Sequence, residues 1–155
     1  AAAAGATVTH VDASKGMVTW AKENAVSSGL KDAPIRWLVD DCVKFVEREI
    51  RRGNTYDAII MDPPSYGRGP KGEIWKIEDM IHPLIRLCAK ILSKDALFFL
   101  VNSYTTGLAP AVLTYMISTE LKSWNGHVDS QEIGLPVTNS GLVLPCGASG
   151  RWESR

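Results

Sequence analysis

The sequence predicts a doubly wound α/β fold, a mostly parallel sheet with helices between its strands and an antiparallel hairpin at the C-terminal end, in one domain over residues 1–155. Three observations carry this. Short β-branched apolar runs alternate with stretches of helical periodicity; acidic residues stand directly after three successive runs; and the tail changes to two extended segments around a turn-rich cluster. A chain of 155 residues with 45% hydrophobic content is long enough to bury one core.

The elements follow in order. Ala1 to Ala4 with Gly5 reads as the last turn of a helix and its glycine stop, an odd place for a domain to begin, so an upstream part is expected to be absent. Thr7 to Val11 is a strand ending at Asp12, and Ser14 caps a helix from Lys15 to Ser28, stopped by Gly29. Ile35 to Val39 is the second strand; after Asp40 and Asp41, the residues Val43, Phe45, Val46 and Ile50 recur at helical spacing as far as Gly53. Asp57 to Met61 is a third strand, ended by Asp62, Pro63 and Pro64 because proline cannot continue a central ladder. A glycine-rich loop reaches Gly72. The stripe Met80, Ile81, Leu84, Ile85, Cys88, Ile91 and Leu92 is a helix that starts near Pro83 or kinks there. Ala96 to Val101 is the fourth strand, Pro110 opens the last helix, and Val128 to Leu135 with Gly141 to Cys146 forms the hairpin.

Composition narrows the function classes. Lys plus Arg and Asp plus Glu both total 17, so no overall positive field draws the chain to nucleic acid or to a membrane. No apolar stretch approaches the roughly 20 residues of a membrane span, and the Ala-rich start has no basic flank. Cys42, Cys88 and Cys146 lack the spacing of a zinc site or a redox dithiol, so a cytoplasmic protein with reduced thiols and no bound metal is expected. Nothing in the sequence discloses the oligomeric state.

The chemistry is expected where a doubly wound sheet binds ligands, outside the carboxyl ends of its strands. Asp12, the pair Asp40 and Asp41, and Asp62 all fall there. Asp12 suits the hydroxyls of a ribose or the capping of the next helix; Asp41 suits an adenine amine or a cap. In Asp62-Pro63-Pro64-Ser65-Tyr66, two prolines fix the backbone beside an acid, a rigid corner suited to a reaction limited by alignment. There Asp62 and a proline carbonyl orient a target group, and Tyr66 stacks on a flat base. The loop beyond carries Arg68, Lys71, Trp75 and Lys76, a mix of charge and flat surface that suits single-stranded nucleic acid or a flexible lid. Asn102, Ser103 and Tyr104, just past the fourth strand, line the same pocket or serve the next helix.

Val11-Asp12-Ala13-Ser14, Asp40-Asp41 and the run Met61-Asp62-Pro63-Pro64-Ser65-Tyr66-Gly67-Arg68-Gly69-Pro70-Lys71-Gly72 resemble class I S-adenosylmethionine-dependent methyltransferases, specifically the group similar to bacterial large-subunit ribosomal RNA methyltransferases. The resemblance covers nearly the whole chain. It implies a Rossmann-like methyltransferase sheet and S-adenosylmethionine as cofactor, with Asp12 on the ribose, Asp41 at the adenine and the Asp62 corner at the methyl-transfer site. The cofactor set is then Asp12, Ala13, Ser14, Asp40, Asp41, Cys42 and Asp62; the catalytic set is Asp62, Pro63, Pro64 and Tyr66; the substrate set is Ser65, Tyr66, Arg68, Lys71, Asn102 and Ser103.

Two departures from the family stand out. The first strand and its glycine loop have no counterpart, so the expected sheet order 3-2-1-4-5-7-6 lacks strand 1 and the isolated chain is expected to bind cofactor poorly. Related amine methyltransferases carry an aromatic residue directly after the two prolines, where this chain has Ser65. Covalent pyrimidine chemistry needs a cysteine, but Cys88 lies on an apolar stripe, Cys42 follows the adenine acid, and Cys146, at the end of an antiparallel strand, is expected on the sheet edge opposite the crevice. The expected function is methylation of a base of ribosomal RNA. A protein or small-molecule N-methyltransferase, a non-catalytic nucleotide-binding module and an NAD-type dehydrogenase are the alternatives.

Overall fold

The computed structural model describes residues 1–69 and 72–155. They form two compact units, Ala1–Arg52 and Gly53–Arg155.

The first unit opens on a single 3-10 turn, Ala2–Ala4, closed by Gly5 at φ 87°. Strand β1 (Val8–Asp12) and β2 (Ile35–Val39) pair in parallel from Val8 with Ile35 to Asp12 with Val39. Helix α1 (Lys15–Ser27) starts as its sequence dictates: the Ser14 hydroxyl accepts from the Met17 N–H at 3.3 Å, satisfying one of the amides that a helix start leaves without a partner. Gly29, at φ 73°, follows its end. Helix α2 (Cys42–Arg52) buries Phe45, Val46 and Glu49, and Gly53, at φ 70°, comes directly after it. Glu49 is only 1% exposed and is held by Arg52 at 3.0 Å.

The second unit is built on a four-stranded sheet in the order β3-β6-β8-β7, from β3 (Ala58–Met61), β6 (Phe98–Ser103), β7 (Gly126–Pro136) and β8 (Val143–Ser154). β3 and β6 are parallel, while β6 with β8 and β8 with β7 are antiparallel. In the expected order 3-2-1-4-5-7-6, β2-β1 is the 3-2 pair and β3-β6-β8-β7 is the 4-5-7-6 set. Among the described residues, no strand pairs with the second edge of β1 or of β3. Helix α4 (Pro110–Glu120) starts with proline at its first turn, where the missing N–H costs nothing, and packs on β7 and β8. Its Leu113 and Ile117 face Gly150: a Cβ there would lie 2.7 Å from the Leu113 Cβ, so only glycine admits the helix this close. Phe99, Val101, Ile85, Leu113 and Ile117 are all completely buried in the core.

Four expectations are corrected. The glycine-rich loop is an antiparallel ribbon of β4 (Tyr66–Arg68) and β5 (Ile74–Lys76), whose three-residue strands are too short for alternation to reveal. Helix α3 (Ile77–Ala89) runs through Pro83 instead of starting near it, so the Asp79 carbonyl forgoes its usual donor. The fourth strand ends at Ser103, not Val101, because pairing with Ser149 and Ala148 carries it past the apolar run; Asn102 and Ser103 are its last residues. The last strand extends to Ser154. Ala148 stands opposite Ser103, so Cys146 lies beyond the carboxyl end of β6, on the side where Asp62 follows β3, and not on the opposite edge.

Candidate active site

In the first unit, the ends of β1 and β2 bring the predicted acids side by side: the Asp40 N–H donates to the Asp12 carbonyl at 3.0 Å. The Asp12 carboxylate accepts the Ser14 N–H through Oδ1 at 2.6 Å, a turn that leads the chain past exposed Ala13 into α1. Among the described residues no hydrogen bond reaches its Oδ2. Asp41 caps α2, accepting the Lys44 N–H through Oδ1 at 2.9 Å. Asp40 is ion-paired with Arg48 of the same helix. The Cys42 thiol points back to the Val11 carbonyl at 3.8 Å, a weak contact that keeps it beside β1. Asp12 and Asp41 thus each brace local backbone with one oxygen and keep a second one, whereas the Asp40 carboxylate is already engaged by a cation.

In the second unit, Asp62 follows β3 directly. It is exposed, and among the described residues no group hydrogen-bonds its carboxylate. The two prolines are pinned from the ribbon: the Trp75 indole N–H donates to the Pro64 carbonyl at 2.6 Å, and the Ile77 N–H donates to the Ser65 carbonyl at 3.1 Å. The carbonyl taken up this way is that of Pro64; among the described residues no donor reaches that of Pro63. Ser65 Oγ lies 2.6 Å from Thr105 Oγ1, in the loop after β6. On the ribbon, Tyr66 is 51% exposed and its hydroxyl accepts from the Arg68 guanidinium at 2.9 Å, so the ring and the cation share one face. Lys71 lies outside the described residues. Asn102 is half-buried, but Ser103 is completely buried and its hydroxyl accepts the Thr105 N–H at 3.2 Å, which puts it beneath the loop rather than on a surface.

A cavity of about 350 Å³ opens at this end of the sheet, between residues 104–110 and Glu132, Pro145, Cys146 and Gly147. Cys146 is half-buried in its wall, its thiol 3.4 Å from the Ile133 carbonyl. Gly147 is required there, because a Cβ would collide with the Ser103 carbonyl. A groove of about 570 Å³ in the first unit, between α1 and Trp37, contains none of the predicted residues. The larger of these two cavities therefore lies away from the strand ends that carry the predicted acids. Sequence reasoning missed Thr105 and Arg48. The only signal for Thr105 was its place two residues beyond Ser103, and Arg48 lay on the solvent-facing pattern of its helix. Trp75 was seen as flat surface, without its bond to Pro64.

No family model matches the chain. Over 86 residues, 55% of its length, the chain is 36% identical to the ribosomal RNA large subunit methyltransferase K/L of Pseudoalteromonas atlantica. It spans 12% of that relative's length. The solved structure of the SAM-dependent methyltransferase from Agrobacterium tumefaciens superimposes on 99% of the chain with a TM-score of 0.91 at 41% identity, and the chain covers 51% of that protein. SMU.776, a candidate methyltransferase crystallised with S-adenosylhomocysteine, shares the fold over 93% of this chain and 38% of its own, with a TM-score of 0.71 at 21% identity. By fold over nearly its whole length and by sequence over more than half of it, the chain resembles class I S-adenosylmethionine-dependent methyltransferases of the ribosomal RNA large-subunit group.

Proposed function

We propose that the chain is the catalytic region of a methyltransferase that transfers a methyl group from S-adenosylmethionine to a base of ribosomal RNA in the cytoplasm. The observation that carries this is the Asp62-Pro63-Pro64 corner, a carboxylate without a hydrogen-bond partner among the described residues, followed by two prolines directly after a parallel strand and held by Trp75 at the Pro64 carbonyl. In-line displacement at a methyl group needs distance and angle above all. The Asp62 carboxylate, on a backbone held at Pro64 and Ser65, and the Pro63 carbonyl accept hydrogen bonds from an acceptor base, and Tyr66 with Arg68 offers a ring and a charge to stack on neighbouring nucleotides.

The acids of the first unit fit the adenosine half of the cofactor. Asp12 Oδ2 accepts from the ribose hydroxyls and the second oxygen of Asp41 from the adenine amine, while Ala13, Ser14 and Cys42 border the same edge. Asp40 acts indirectly, its charge committed to Arg48. When bound, S-adenosylmethionine supplies an electrophilic methyl group; the chain supplies alignment and the exclusion of other orientations.

The test is transfer of labelled methyl from S-adenosylmethionine to large-subunit ribosomal RNA by the intact protein. Label in RNA that disappears with Asp62→Ala is the expected outcome. Label in protein or small amines instead of RNA would replace the substrate, and no transfer to any acceptor would remove the enzyme reading.

A further inference from the structure

We propose that Thr105 is a positioning residue for methyl transfer, acting through Ser65 on the Asp62-Pro63-Pro64 corner; this rests on the methyltransferase reading above. Two hydroxyls 40 residues apart in sequence meet at 2.6 Å, Ser65 Oγ and Thr105 Oγ1. The Thr105 end is itself fixed. Its N–H donates to the completely buried Ser103 hydroxyl at 3.2 Å, and its carbonyl accepts the Leu108 N–H at 3.4 Å. That bond closes a turn whose third residue, Gly107, sits at φ 89°, where a side chain would be strained. A core serine therefore holds a threonine, and the threonine holds the serine next to the acceptor corner.

The lever is short and stiff. Pro63 and Pro64 each have φ locked by their rings, so a shift at Ser65 is passed to the Pro63 carbonyl and the Asp62 backbone with few torsions between to absorb it. Trp75 and Ile77 hold the same corner from the ribbon side, at the Pro64 and Ser65 carbonyls. Among the described contacts, the Thr105 hydroxyl alone ties the corner to the loop after β6. Ser65 then serves as the anchoring point of the corner, which accounts for a small hydroxyl residue directly after the prolines.

The experiment compares the intact protein with Thr105→Val, Thr105→Ser, Ser65→Ala and the double variant Thr105→Val/Ser65→Ala in steady-state methyl transfer to RNA. A misplacement of the acceptor of this kind costs between about 10-fold and 100-fold in kcat. The expected pattern is such a loss for Thr105→Val with an unchanged KM for S-adenosylmethionine, near wild-type turnover for Thr105→Ser, and a double variant no worse than either single one. Wild-type kcat in folded Thr105→Val, failure of Thr105→Ser to restore turnover, or additive losses in the double variant would overturn the proposal. If the wild-type protein transfers no methyl group, the functional reading fails, and hydrogen exchange decides the relay separately. Faster exchange of the Ile77 amide, which donates to the Ser65 carbonyl, in Thr105→Val supports it, and unchanged exchange refutes it.

Discussion

In the proposed function the Asp12 carboxylate has two tasks, and its two oxygens separate them. Oδ1 holds the Ser14 N–H and with it the start of α1; Oδ2 is left for a ligand. Replacing Asp12 by Asn keeps the first acceptor and turns the second into a donor. We expect Asp12→Asn to melt within a few degrees of wild type while losing about 10-fold to 100-fold in affinity for an adenosine cofactor, since a hydrogen bond to a charged group contributes about 1.5–3 kcal/mol. Among the described residues Asp62 has no partner to lose, so Asp62→Ala should leave stability within about 0.5 kcal/mol and lower kcat by about 100-fold or more; equal loss of stability and turnover would point to a structural role instead. These acids were legible in sequence because each follows an apolar run. Which oxygen was already spoken for was not, since that depends on local turn geometry. Ser103 was seen as a pocket residue, but one residue of strand parity decides whether a side chain faces core or crevice, and the β6 register set by β8 puts Ser103 in the core.

Among the elements, α3 and α4 are clasped by His82, Arg86 and Glu120. His82 Nε2 and Arg86 Nε lie 2.7 and 3.1 Å from the same oxygen of Glu120. Burial pushes the Glu120 carboxyl up, but the hydrogen bonds and charges of Arg86 and His82 outweigh it and hold the group below its ordinary 4.5. A carboxylate with a lowered folded-state pKa stabilises the fold above its unfolded value, and that contribution is lost as pH falls through the folded one. The stability gap between wild type and Glu120→Gln in urea should therefore be widest near neutrality and close as pH drops below about 4; a gap independent of pH would show that the clasp contributes nothing through charge. Helices and parallel strands were readable from their periodicity. The β4-β5 ribbon and the final stretch of β8 were not: three-residue strands carry no period, and Gly147, Ala148, Ser149 and Gly150 look like loop although Gly147 and Gly150 are small because Ser103 and Leu113 press against them. The position of Cys146 was lost with that stretch.

For the whole molecule, the doubly wound class, the strand order within each sheet and the acid-bearing strand ends followed from the sequence, whereas pairing registers and the hydroxyl relay needed coordinates. The second unit draws its stability from the core around Phe99, Leu113 and Ile117. Leu113→Ala should cost about 2–5 kcal/mol, measured by urea denaturation, and a cost below about 1 kcal/mol would mean that α4 collapses freely onto Gly150. The most direct measurement is calorimetric titration of S-adenosylhomocysteine, and separately of NAD, into the intact protein and its Asp12→Asn variant. Binding of S-adenosylhomocysteine but not NAD, weakened in the variant, is the expected result; binding of NAD alone, or of neither by a folded protein, would contradict the methyltransferase assignment.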